Sequence, residues 1–246
     1  MADFSIDHGR KASDKTDTTQ LKPVLPSWPS AHSVMKSKPN NKLWDISPPI
    51  HAASPLFPGD TAYSQRWTAQ ISPGCPVNIS AITMSPHTGA HADAPLHYGN
   101  DQATIGVLDL APYLGPCRVI HALNCGPLVQ IEHLQHAAAN LPPRVLVRTC
   151  HTAPTAWSAE FSAYAPRTIA WLAARGVVLV GIDSQSVDPA DSKALDSHHA
   201  LLRLDLRVLE NLVLDGVPEG DYELIALPLK LTTADASPVR AVLREL

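Results

Sequence analysis

The sequence predicts one mixed α/β domain with more strand than helix. Three observations carry this. Short β-branched runs bounded by turn residues recur at 117–122, 144–149 and 177–182, the signature of strands. The clearest helix, 166–175, is short. Proline is abundant, 23 of 246 residues, which favours loops, turns and edge strands over long helices. At ~150 residues per domain, this length allows one domain with an added segment.

That segment is at the start. Residues 1–42 hold seven basic side chains against four acidic ones, a net +3 in a chain of net −4. They lack apolar periodicity and read as a disordered extension. The globular domain spans 43–246. Segment 43–50 reads as a strand ending at Pro48-Pro49, and Phe57-Pro58-Gly59-Asp60 as a turn. Segment 77–85 is a strand whose apolar phase slips at Ala81-Ile82, which suggests a bulge there. In 166–175 a proline opens the first turn, Ile169, Trp171 and Leu172 are apolar, and Gly176 follows the end. VVLVGI at 177–182 reads as a fully buried strand, with Asp183 and Asp188 capping or turning the chain after it. Segment 201–214 is apolar at 201, 202, 206, 208, 209, 212 and 213 and reads as a helix, whole or in two pieces. Segment 222–229 is a late strand, stopped by Pro228. Trp44, Trp67 and Trp171 are expected in core or interface packing.

Composition excludes several classes. No run approaches ~20 apolar residues, so no membrane span is expected. A net charge of −4 and 5% aromatic residues argue against nucleic-acid binding. The four cysteines, Cys75, Cys117, Cys125 and Cys150, form no CxxC pair, so neither a zinc knuckle nor a disulfide framework is expected. The first residues carry no apolar signal region, and the expected location is the cytoplasm.

The most informative stretch runs from His87 to His97. With 12 histidines in 246 residues, an 11-residue window should hold about half of one; this window holds His87, His91 and His97, with Asp93 among them. Imidazole and carboxylate are ligands for zinc and similar divalent ions. A single helix cannot present them together, because Asp93 would sit about 200° around the axis from His91. In extended or looped backbone, positions 87, 91, 93 and 97 share parity and converge. Gly89 permits close approach and Pro95 stiffens the exit. Three ligands in one short loop rarely close a site, so a further carboxylate is expected from 183–188, or from 196–199 followed by Glu210. His199 and Glu210 would be about 16 Å apart on one straight helix, so the chain must bend if both contribute. Geometry alone does not choose between His198 and His199.

The pattern His87-x-Gly89-x-His91-x-Asp93-x-Pro95-x-His97 resembles the signature of the cyclase-like metal-dependent hydrolases. Leu43-Trp44-Asp45-Ile46-Ser47-Pro48-Pro49, Phe57-Pro58-Gly59-Asp60-Thr61, Asp191-Ser192-Lys193 with His198-His199, and the run from Gly220 to Lys230 resemble the bacterial kynurenine formamidase branch. The resemblance implies a swivelling β/β/α single domain, a homodimer, and two zinc ions per subunit, with manganese or another divalent ion as a substitute. It implies that His87, His91 and Asp93 hold the first ion, that Asp93 also reaches the second, that His198 rather than His199 binds the second, and that Glu210 binds both. It makes His97 the proton donor and acceptor in hydrolysis of N-formyl-L-kynurenine to L-kynurenine and formate, with metal-activated water as nucleophile, a step of tryptophan breakdown. Where the family often has a pocket tryptophan, this chain has Phe57, expected to face the substrate's aryl ring. Two rivals stand beside this reading: a hydrolase of the same fold acting on another aryl or cyclic amide such as isatin, and a metal-binding module without catalysis. A serine hydrolase is disfavoured by the lack of a GxSxG elbow, and the adjacent pair Cys150-His151 says little about a cysteine hydrolase.

Overall fold

The computed structural model describes residues 42–246. The extension expected over 1–42 lies outside the described residues apart from Lys42, whose carbonyl accepts from the Glu245 N–H at 3.0 Å. In chain order the elements are β1 (Leu43–Asp45), β2 (Ser64–Ala69), β3 (Ile79–Thr83), β4 (His91–Asp93), α1 (Pro95–Tyr98), β5 (Leu114–His121), β6 (Leu128–Val129), β7 (Arg144–Arg148), β8 (Ala163–Tyr164), α2 (Pro166–Ala173), β9 (Leu179–Ile182), α3 (Asp196–Leu204), β10 (Arg207–Glu210), β11 (Gly220–Ile225), β12 (Ala236–Pro238) and β13 (Val242–Glu245).

Nine strands form one sheet in the order β1-β13-β11-β5-β7-β9-β10-β4-β12. β5, β7, β9 and β10 run parallel at its centre, and the remaining strands pair antiparallel. Parallel strands are covered on both faces, so they are apolar at consecutive positions. Val145, Val147, Val180, Ile182 and Val208 face a core shared with Ile169 and Leu172 of α2 and Leu201 of α3. Leu146, Leu179, Leu209 and Val119 face a second core, which also takes Leu224, Leu243 and Ala92 from the same sheet. A flat sheet could not bring those strands together. The chain forces the curl: β12 ends at Pro238 and β13 begins at Val242, so one edge and the penultimate strand of the other are four Cα steps, at most about 14 Å, apart. Bonds from Val239 N–H to Ala90 C=O (2.9 Å) and from Ile46 N–H to Ala241 C=O (3.0 Å) run along that seam. Gly181 allows the tight packing of β9: a Cβ there would lie 2.4 Å from Leu146 Cδ2.

The mixed, strand-rich domain agrees with the sequence, and several elements differ in detail. The first strand stops at Asp45 rather than Ile50. The strand in 77–85 is β3, paired with the unanticipated β2, and the register shifts on β2 between Trp67 and Ala69, not at Ala81-Ile82. This β2–β3 hairpin stands apart from the large sheet, and Trp67, expected in core or interface packing, lies outside the core at 52% exposure. The strand expected over 222–229 is β11, which ends at Ile225, short of Pro228, and two further strands, β12 and β13, follow it.

The main correction is 201–214. α3 ends at Leu204, and 207–210 is the central strand β10. Asp205 takes φ +52° and closes the helix: Leu206 N–H bonds Leu201 C=O and Asp205 N–H bonds Leu202 C=O, with Leu201 and Leu206 in the same core. This is a Schellman ending with aspartate at the left-handed position. The apolar spacing belongs to two elements: Val208 and Leu209 bury opposite faces of a strand between β4 and β9.

Candidate metal centre

Strand register assembles the site. β4 pairs antiparallel with β10, placing His91 opposite Glu210 and Asp93 opposite Val208. Directly opposed residues share a face, and so do residues two apart. His91, Asp93 and Glu210 therefore point to the face covered by α3, while Ala92 enters the other core. His198 arrives from the first turn of α3. Leu195 precedes that turn at φ +48°, and Asp188 caps it, accepting from Ser197 N–H (2.9 Å) and His198 N–H (3.0 Å). His87 precedes a tight turn at Gly89, φ +72°, where a Cβ would sit 3.0 Å from Ile50 Cγ1. His97 lies on the single turn α1, opened by Pro95.

The donor atoms converge. His87 Nδ1 is 3.0 Å from Asp93 Oδ1, and His91 Nε2 is 3.4 Å from Asp93 Oδ1 and 3.3 Å from Glu210 Oε2. His198 Nε2 is 3.5 Å from Asp93 Oδ2 and 3.6 Å from Glu210 Oε1. Yet His91 Nε2, His198 Nε2 and both Asp93 oxygens, all buried, have no hydrogen-bond partner among the described residues. They crowd together without aiming at one another. Donors on one tetrahedral zinc, with bonds of ~2.0–2.1 Å, lie about 3.3 Å apart, so these residues fit a divalent ion. Asp93 belongs both to a convergent donor group with His87 and His91 and to one with His97 and His198.

The far side of each buried ring supports the same conclusion. His91 Nδ1 lies 2.9 Å from the Gly89 carbonyl, which can only accept, so this nitrogen carries the proton and Nε2 is left for a ligand role. His198 Nδ1 donates to Asp188 at 2.7 Å and His87 Nε2 to Asp235 at 2.9 Å. Metal-binding imidazoles are held in this way. Burial disfavours protonated His91, but Asp93 and Glu210 outweigh it and push the ring up to about 10. Burial likewise opposes charge on His198, and Asp188 and Asp93 push it up to about 10. Burial would raise Asp93, yet the His198, His87 and His91 rings hold it well below the usual carboxylate range.

Among the described residues, the structure brings His87, His91, His97, His198 and Glu210 to one cavity wall, with the buried Asp93 within 3.0–3.5 Å of the His87, His91 and His198 rings, and leaves His199 exposed on α3. Sequence reasoning misses Asp235. It lies just before β12, which pairs with β4, and its Oδ2 also lies 3.2 Å from His97 Nδ1. Burial would raise the Asp235 carboxyl, but its hydrogen bond with His87 leads the contacts that lower it. Asp188 does cap the chain, as expected, but nothing local in the sequence signals its grip on the His198 ring.

The model of the cyclase family matches residues 44–189. The kynurenine formamidase of Bordetella petrii is 68% identical over 206 residues, covering 83% of this chain and 99% of its own. The chain belongs to the cyclase family, in its kynurenine formamidase branch. Among solved structures, a predicted metal-dependent hydrolase from Bacillus stearothermophilus superposes with a TM-score of 0.73 at 28% identity, covering 84% of this chain and 99% of its own. Isatin hydrolase A from Ralstonia solanacearum shares the fold, with a TM-score of 0.72 at 20% identity over 84% of this chain and 93% of its own.

In this family member the donor cluster lines a cavity of about 270 Å³. Phe57 forms an aromatic part of its wall, its ring 4.7 Å from that of Trp157 in an edge contact. Trp157, in the loop after β7, has no signal in the sequence. Asp60, Lys193 and Gln185 add polar groups to the wall. No ion pair or side-chain hydrogen bond engages the Asp60 carboxylate or the Lys193 amine among the described residues, and Gln185 Oε1 is buried without a partner. Cys150 gives no support to a cysteine hydrolase: burial and the negative charge of Asp183 push its thiol up, away from the thiolate.

Proposed function

We propose that the chain hydrolyses N-formyl-L-kynurenine to L-kynurenine and formate with a divalent metal held by His87, His91, Asp93, His198 and Glu210. The observation that carries this reading is the set of buried, convergent donor atoms without hydrogen-bond partners, in a chain 68% identical to a kynurenine formamidase. Two ions are the reading's count: Asp93 belongs to two donor groups, and Glu210 sends one oxygen toward His91 and the other toward His198. Zinc is the assigned metal, because the donors are imidazole and carboxylate.

A divalent ion in this cage supplies Lewis acidity, which acidifies water and polarises a carbonyl. His97 is the proton carrier. Its Nδ1 faces Asp235, so Nε2 takes a proton from the attacking water. As the formyl C–N bond breaks, His97 returns that proton to the departing aniline nitrogen, giving an amine and formate. Such help is worth ~10²–10⁴-fold. Phe57 presents an apolar surface to the aryl ring. Lys193 and Asp60, without side-chain partners among the described residues, suit the carboxylate and ammonium of the amino-acid end.

The reading extends to a cytoplasmic homodimer acting in tryptophan breakdown. Apolar exposure on the β2–β3 hairpin and its connecting loop supports a dimer: Trp67, Ile71, Val77, Ile79 and Ile82 are each 47–66% exposed, and such patches mark contact surfaces. Among the described residues no helix is long and apolar enough to cross a membrane.

The test is a side-by-side assay of the zinc-loaded chain on N-formyl-L-kynurenine and on isatin. Deformylation at the higher kcat/KM supports the proposal. Faster opening of the isatin ring would replace it with the cyclic-amide rival.

A further inference from the structure

We propose that Asp235 is a positioning residue whose single oxygen Oδ2 orients two imidazoles at once, His97 for proton transfer and His87 for metal binding. The inference rests on the hydrolase reading above.

The geometry is specific. Oδ2 lies 2.9 Å from His87 Nε2 and 3.2 Å from His97 Nδ1, and the two rings stack obliquely with centroids 4.3 Å apart. A carboxylate only accepts, so both facing nitrogens carry the protons. That leaves His87 Nδ1 bare toward Asp93, 3.0 Å away, and Nε2 bare on the His97 ring, which lines the cavity. Without Asp235 each ring is free to flip or to change tautomer, and the wrong choice presents an N–H where a lone pair is needed.

His97 needs this help more than the buried rings do. Its side chain is 34% exposed, whereas His91 and His198 are packed within the core wall at 2% and 4%. Asp235 is itself firmly placed. Its carbonyl accepts from Ala94 N–H at 2.8 Å, and the next residue, Ala236, pairs with Asp93. The strand that carries the metal-binding carboxylate thus also fixes the backbone from which Asp235 reaches the proton carrier.

The experiment uses the full chain and Asp235→Ala, with equal thermal melting as the check on folding. The first readout is independent of substrate: long-range ¹H–¹⁵N NMR of histidine-labelled protein, with the His97 signals assigned from His97→Ala. The neutral His97 ring in the wild type should carry its proton on Nδ1, and Asp235→Ala should shift it to Nε2 or to a mixture. An unchanged tautomer overturns the proposal. The second readout is competitive zinc titration, where the variant should bind about tenfold more weakly; equal affinity removes the role at His87. The third is kcat on N-formyl-L-kynurenine at saturating zinc. Asp235→Ala should lower kcat tenfold to a hundredfold with KM within about twofold, and should cost nothing further in a His97→Ala background. Additive losses would show that Asp235 does not act through His97. If the wild type leaves N-formyl-L-kynurenine intact, the hydrolase reading fails, while the tautomer and the zinc titration still decide Asp235.

Discussion

Asp188 makes the most informative single-site test, because one carboxylate holds both the start of α3 and the ring of a proposed metal ligand. It is 2% exposed. Oδ1 accepts from Ser197 N–H at 2.9 Å; Oδ2 accepts from His198 N–H at 3.0 Å and from the His198 ring at 2.7 Å. In Asp188→Ala three buried donors lose their acceptor. At about 1 kcal/mol each, the low end for an orphaned group where water enters the space left behind, the loss is about 3 kcal/mol. For a domain of this size that lowers Tm by about 6–12 °C, out of a total stability of ~5–15 kcal/mol, so the variant still folds. Asp188→Asn separates the two roles. Its carbonyl oxygen, in the place of Oδ2, still accepts from the His198 N–H and ring, while its NH₂ opposes the Ser197 N–H. The cap is damaged and the ring keeps its proton on Nδ1. Asn should therefore lower Tm yet bind zinc more tightly than Ala, which leaves the ring without its acceptor and should bind zinc tenfold to a hundredfold more weakly than wild type, about 1.4–2.7 kcal/mol. Thermal melts of zinc-stripped protein and competition with a chelating dye measure the two effects. Zinc affinity within twofold of wild type in both variants would refute the argument that Asp188 orients a ligand.

The same geometry makes three further predictions. His97→Ala should keep its zinc and lose ~10²–10⁴-fold in kcat, whereas His198→Ala should lose zinc; metal analysis beside the rate separates them, and an undiminished rate in His97→Ala would remove the proton-carrier role. Lys193→Ala should raise KM for N-formyl-L-kynurenine about threefold to tenfold, since an exposed charge is partly screened, and leave N-formylaniline, which has no amino-acid end, unaffected; equal changes for both substrates would contradict the assignment. Before an ion enters, Asp93 and Glu210 push His91, and Asp188 and Asp93 push His198, up to about 10. Both pKa values stand above the ordinary 6.5, so at pH 8 both rings hold a proton that the metal must displace. Zinc uptake should release about two protons, and apparent affinity should rise with pH until about 10. Calorimetry in buffers of different ionisation enthalpy measures this release, and uptake without protons would show the rings to be neutral beforehand.

Local signals carry much of the fold. Pro166 and Gly176 bracket α2 because proline suits a first turn and glycine a left-handed exit. Of VVLVGI, the four residues Leu179–Ile182 are buried because β9 lies between two parallel neighbours, whereas Val178, ahead of the strand, is 39% exposed. The density of histidine between 87 and 97 marks the site through local composition alone. Residues 201–214 mislead for a physical reason: a two-sided buried strand after a helix mimics continued helical spacing, and the break at Asp205 rests on a left-handed aspartate rather than the usual glycine. Asp235 and Asp188 are hard to see in another way. Each is one of 23 acidic residues, and their importance arises from tertiary placement. Asp235 meets His97 across 138 positions, through pairing of β12 on β4 that no local pattern announces.

The central claim is that this cage of imidazoles and carboxylates must be filled for the amide to break. Zinc-stripped protein should be titrated with zinc while N-formyl-L-kynurenine deformylation is followed by absorbance. The rate should be negligible at the start, rise to saturation near two equivalents per chain, and be lost again on chelation. A rate indifferent to chelator, or saturation below one equivalent, would contradict the claim.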